Sequence, residues 1–153
     1  MQDRTFQRPT AELRVALYSG RANDSALHRA CAELIVQICH DALTETVYLA
    51  SLCELGSSIE SSENGFGFRI HGFDDKLLYL FEIVFKKILS FRDWSSKDGL
   101  PEGIEDNRFD VCKEQLQRKY DNSGMDAAVM ASSVRVRCVC PKSWSALQKV
   151  CRS

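Results

Sequence analysis

The stretch LGSSIESSENGFGFRIHGFDD, Leu55 to Asp75, changes its hydrophobic period partway and so separates sheet from helix. Leu55, Ser57 and Ile59 alternate as a strand would, and Ser61 to Gly65 has the composition of a hairpin turn. Phe66, Phe68 and Ile70 then alternate with Gly67, Arg69 and His71, giving a second strand with one aromatic face. Gly72 is expected to break that strand, and Asp74 or Asp75 to cap a helix. Beyond them the period lengthens. Leu77, Leu78, Leu80, Phe81, Val84, Phe85, Ile88 and Leu89 make the next stretch the most hydrophobic element of the chain, which predicts a helix lying flat on the sheet.

Working outward, Leu27, Cys31, Leu34, Ile35, Ile38, Ala42 and Leu43 predict a long amphipathic helix over Ser25 to Glu54, capped by Asp24 or Ser25. A turn at Gly20 to Asp24 joins it to an earlier strand, where Leu13, Val15 and Leu17 alternate with Arg14, Ala16 and Tyr18. On the other side, Arg92 to Gly103 predicts a surface loop. A helix from about Glu105 follows, with Phe109, Cys112, Leu116 and Tyr120 on one face and its end at Asn122 to Gly124. Ala127 to Val134 favours helix, yet Val134, Val136 and Cys138 alternate with Arg135 and Arg137 like a strand. Trp144, Leu147 and Val150 or Cys151 suggest a short last helix. The order predicts an α+β fold, a mostly antiparallel sheet with helices packed on one face.

The 153 residues amount to about one domain. With 44% hydrophobic and 27% charged residues, the chain can bury a core, which excludes a disordered tail and a small cysteine-stapled scaffold. Leu34–Cys39 and Leu77–Phe85 are far shorter than the roughly 20 apolar residues of a membrane span. No secretory signal is visible in Met1 to Leu13, and seven cysteines in no framework spacing suit a reducing, cytoplasmic compartment. From Ala127 to Ser153 the chain carries five basic residues and no acidic one, although the whole chain has a net charge of −1. Without interleaved aromatics or a glycine-rich loop, that asymmetry does not make a nucleic-acid site.

Candidate chemistry is sparse. Cys138 and Cys140 with Cys151 supply three thiols, without the paired short spacings of a structural zinc site. They remain a possible metal or redox site if Cys138 and Cys140 share one face of a strand. Cys31, Cys39, Cys53 and Cys112 fall in helical apolar patterns, where a free thiol packs as a small hydrophobe. His28 and His40 lie twelve residues apart on one helix and cannot share an ion, and His71 faces away from Phe68 and Ile70 toward solvent. Nucleophile elbows and phosphate loops are missing, since the one Gly-x-Gly, Gly65 to Gly67, sits in a hairpin. No residue is therefore assigned a catalytic, cofactor-binding or metal-binding role.

Asp41-Ala-Leu-Thr-Glu45-Thr-Val-Tyr48-Leu-Ala50, followed without a gap by Gly65, His71-Gly72-Phe73-Asp74-Asp75-Lys76 and Phe91, carries a family resemblance. It resumes at Arg108-Phe109 and runs through Lys113, Arg118 and Asn122. The segment resembles the third domain of the insulin-degrading enzyme, nardilysin and pitrilysin family, zinc metalloendopeptidases with an inverted zinc motif. This chain departs from the family at Cys53-Glu54, where a small residue and a glycine are usual, in a longer Arg92 to Ile104, and at Ser123-Gly124-Met125. The resemblance divides the chain into an extension over 1–12, an α+β core over 13–122 and a basic helical segment over 123–153, with a helix from Asp126 to Arg137.

In such enzymes two similar halves enclose a chamber, and zinc belongs to the first domain alone. The inverted motif His-x-x-Glu-His does not occur here, and the equivalent helix carries Leu34-Ile-Val-Gln-Ile38. The resemblance therefore implies a non-catalytic, chamber-forming domain without zinc or any other cofactor of its own. Its expected partners are the remaining domains of a longer metalloendopeptidase or a partner subunit, with peptide substrates at the family level and neither nucleic acid nor membrane. A complete family domain would need further sheet and helix after Ser153, so a fragment or a truncated gene product is expected. The alternatives are a stand-alone interaction module of the same fold and the thiol site at Cys138, Cys140 and Cys151.

Overall fold

The structure is a computed structural model and describes residues 9–90, 106–123, 125–140 and 143–150. The expected loop over 92–103 and Cys151 lie outside them. Three strands, β1 (Thr10–Tyr18), β2 (Gly56–Ser62) and β3 (Gly65–Phe73), form an antiparallel sheet in the order β1-β3-β2. Five helices accompany it among the described residues: α1 (Ala26–Leu52), α2 (Asp74–Ser90), α3 (Asp106–Asn122), α4 (Ala127–Val139) and α5 (Ala146–Val150).

Register explains why the helices gather on one face. Val15 pairs with Phe68, which pairs with Ile59, and Leu13 pairs with Ile70 in the next row. Directly opposed residues share a face, so these side chains form one apolar surface. The α1 residues Cys39 and Leu43 and the α2 residues Leu77, Leu80 and Val84 close over it, with Ile70 only 1% exposed. Phe85 stacks on Phe81 at 5.3 Å between centroids and meets Phe68 edge-on at 6.4 Å.

The other face is polar. Arg14 and Arg69 are paired across β1 and β3, and Glu12 accepts from both, at 2.5 and 2.7 Å. The hydrogen bonds from Arg69 and then Arg14 hold the Glu12 carboxyl at a pKa of about 2. His71 is exposed on this face, as its alternation predicts, with its ring lying over Gly56.

Several element ends differ from the sequence reading. Strand β1 starts at Thr10 rather than Leu13, because Thr10 and Ala11 find partners in Phe73 and Gly72. Gly72 consequently does not break β3: it lies inside the strand at φ 141. Asp74 and Asp75 form the first turn of α2, where they complement the helix dipole without acting as its cap. Of the cysteines in helical patterns, Cys39 and Cys112 are buried, whereas Cys31 is exposed and Cys53 is the exposed C-cap of α1. The 127–139 stretch is helical, capped by the Asp126 carboxylate, which accepts from Ala128 and Val129 N–H groups.

Candidate functional site

A groove of about 730 Å³ opens between α1, the β2 edge, α3 and the C-terminal helices. Its floor is built around Glu33, which sits four residues after Arg29 on α1. Glu33 Oε1 accepts from Arg29 Nε at 3.0 Å and from Lys149 Nζ of α5 at 2.5 Å. Glu33 Oε2 accepts from the Tyr120 hydroxyl of α3 at 2.7 Å. The Lys149 ammonium also stands over the Tyr120 ring, 5.2 Å from its centroid. One carboxylate thus ties α1 to α3 and α5.

All three charged side chains are largely buried, Arg29 to 16%, Glu33 to 17% and Lys149 to 12% exposure. Burial pushes the Glu33 carboxyl up, but the hydrogen bonds from Lys149 and Tyr120 and the charges of Lys149 and Arg29 outweigh it. The net result lies below the usual carboxylate range. Tyr120 moves up, first through burial and then through its hydrogen bond to the Glu33 anion. Such a site holds a proton on the phenol and a charge on the carboxylate, which is the chemistry of a structural tie. A catalytic pair would be poised near neutrality.

The guanidinium of Arg29 also reaches the sheet, donating to Ser62 O at 2.6 Å and Ser61 O at 3.0 Å. His40, further along α1, lies 3.0 Å from Ile59 O through Nε2. Ile59 and Ser61 are two residues apart on an edge strand, so their carbonyls point the same way. The two-residue hairpin loop after Ser62 makes Ser62 and Gly65 the closing pair, which turns the Ile59 and Ser61 carbonyls away from β3. Arg29 and His40 therefore cover backbone acceptors that the sheet leaves open, and thereby blunt the edge.

Zinc, the metal of the resembling family, does not fit these residues. His28 and His40 are separated by twelve residues of helix, about 18 Å of rise. Between them Leu34, Ile35, Val36 and Ile38 offer no donor atom, and the Glu33 carboxylate is taken up by Arg29, Lys149 and Tyr120. Among the described residues, no three His, Cys, Asp or Glu side chains converge as a ligand set. Cys138 lies exposed in the last turn of α4 and Cys140 is its C-cap, so the shared strand face imagined for them does not exist. Glu33, Arg29 and Lys149 carry no role in the sequence reading. The Arg29–Glu33 spacing of four signals an intrahelical pair, but nothing local marks Lys149 as its third member.

Comparison with known proteins places the family and the fold. Residues 1–152 match the family model described as the middle or third domain of peptidase_M16. Nardilysin of Rattus norvegicus is 27% identical over 148 residues, which is 97% of this chain and 12% of that protein. The insulin-degrading enzyme of Drosophila melanogaster is 28% identical over 121 residues, 79% of this chain and 11% of that enzyme. The crystal structure of pitrilysin shares the fold, with a TM-score of 0.65 at 19% identity over 80% of this chain and 12% of that one. The chain thus spans about an eighth of the length of these relatives. Its packed α1, its sheet register and its match over nearly the whole length lead to one assignment: the chain belongs to the middle or third domain family of the M16 peptidases.

Proposed function

We propose that this chain is a non-catalytic wall domain of an M16 zinc metalloendopeptidase, enclosing extended peptides while another domain holds the metal. The observation that carries this is the composition of α1. Its central turns are spent on packing, through Ala30, Ala32, Ile38, Cys39 and Leu43, and on the Arg29–Glu33 tie. A zinc helix of the inverted type would place two imidazoles and a glutamate there. The family match over residues 1–152 and the pitrilysin-like fold support the placement within a larger enzyme. Among the described residues, no helix is long and apolar enough to cross a membrane. The six described cysteines are all free thiols, in keeping with the cytoplasmic setting proposed here.

The test uses the purified chain. Metal analysis after dialysis against zinc, together with cleavage of a quenched fluorescent peptide, is expected to show neither stoichiometric zinc nor chelator-sensitive hydrolysis. One zinc per chain with hydrolysis that a chelator stops would overturn the proposal.

A further inference from the structure

Helix α4 differs from the other helices in that every one of its residues is exposed. Val129, Met130 and Val134 are each half exposed and Val139 is 76% exposed, and α4 makes no extensive packing with any other described element. An apolar helix of this kind is normally covered. On its inner side, Val129 and Val136 face the groove, whose other apolar lining includes Val36, Ile59, Leu116 and Trp144.

Basic residues outnumber acidic ones around this surface. Arg137 and Lys119 line the groove, and Arg135 stands on the same helix as Arg137. Arg29 and Lys149 also line it, but Glu33 neutralises part of their charge. Glu60 is the other acidic residue lining the groove, and α4 itself contains no carboxylate. Two α4 helices packed in parallel would oppose arginines, and an antiparallel pair would offer them only the Asp126 carboxylate, already engaged in capping by Ala128 and Val129 N–H groups, which disfavours a second copy as the occupant. We infer that α4 and the groove beside it form a docking surface for an amphipathic helix of a partner polypeptide, with an apolar stripe flanked by carboxylates. The stripe fills the space between Val129, Val136 and Leu116, and the flanking acids meet Lys119 and Arg137 in the helix-in-groove mode. The rim charges set preference and salt dependence, and the apolar contact supplies most of the affinity. The inference goes beyond the wall-domain reading and does not depend on it, since it concerns binding and not zinc or hydrolysis.

Two synthetic helical peptides of about 18 residues, long enough to span α4, test it. They share a leucine stripe and differ in carrying glutamate or lysine on its flanks. Fluorescence anisotropy with the full chain is expected to show the glutamate peptide binding about tenfold or more tighter, a preference that shrinks between about 50 and 500 mM salt. Replacing Lys119 and Arg137 together by glutamate is expected to reverse the preference, and Val129→Asp with Val136→Asp to abolish binding of both peptides. All four positions lie in α3 or α4 and none belongs to the sheet core, so circular dichroism is expected to be unchanged. Failure of the glutamate peptide to bind, or equal binding of the two, would overturn the inference. A dimer in sedimentation equilibrium that Val129→Asp with Val136→Asp dissolves would do so too, by making a second copy the occupant.

Discussion

Glu54 occupies the position just past the α1 C-cap with φ 57, in the left-handed region that favours glycine. Leu55 N–H donates to Ala50 O at 3.0 Å and Glu54 N–H to Ser51 O at 3.1 Å, the paired bonds of a Schellman cap. The family resemblance already marks this place, since it implies a glycine where Glu54 stands. The strain belongs to the residue and not to the turn. Glu54→Gly is therefore expected to stabilise the chain by about 0.5–1 kcal/mol, the relief of the left-handed conformation less the entropy glycine adds to the unfolded state. Equilibrium urea unfolding with an unchanged m-value would measure it. Gly72, facing that turn, predicts the opposite sign. A Cβ there would lie 2.6 Å from Glu54 O and 3.0 Å from the Leu55 Cα, at φ 141. Backbone cannot move aside as a side-chain tip can, so Gly72→Ala is expected to cost about 2–3 kcal/mol by the same measurement.

At the scale of elements, legibility followed the strength of local periodicity. The Phe66–Ile70 alternation and the Leu77–Ile88 helical spacing fixed β3 and α2, since each buries one face against a single layer. The first residues of β1 were not legible. Thr10 and Ala11 carry no alternation of their own and are held by pairing with Phe73 and Gly72, more than 60 residues away. The 127–139 stretch was ambiguous for a related reason: its valines carry both periods, and its helix buries nothing that would select one. The floor of the groove was the least readable part, because Glu33, Tyr120 and Lys149 are joined only by the tertiary fold. A helix of 13 residues without a packed face is close to the length at which isolated helices are marginal. Amide hydrogen exchange is therefore expected to find α4 exchanging through local opening, with protection far below that of β3 and the middle of α1. Protection in α4 equal to that of β3 would mean that its face is already covered in the free chain.

Across the whole molecule, the Glu33 cluster joins parts of the chain 87 and 116 residues apart, and it carries pH dependence with it. The carboxyl lies below its ordinary value of 4.5 in the folded state, so its contribution is complete above that pH. It is lost as pH falls through the lower, folded value. The Tyr120 phenol lies above its ordinary value of 10.0, so folded stability is also expected to fall as pH climbs past about 10. Glu12 and Glu82, both at the surface and both lowered by their cationic neighbours, add to the acid limb. Comparing variants separates them from Glu33. Glu33→Gln keeps the size of the side chain but leaves the buried Arg29 and Lys149 without their anion, and is expected to cost about 2–4 kcal/mol at neutral pH. Because glutamine does not titrate, the difference from the parent chain should shrink steadily below pH 4.5. The alkaline limb should also soften, since the Glu33 charge that helps to keep Tyr120 protonated is gone. Urea unfolding across the pH range reads both effects. A difference between parent and variant that stays constant from pH 7 to about pH 3 would show that Glu33 contributes through packing alone and that its charge does not hold α5 to the body.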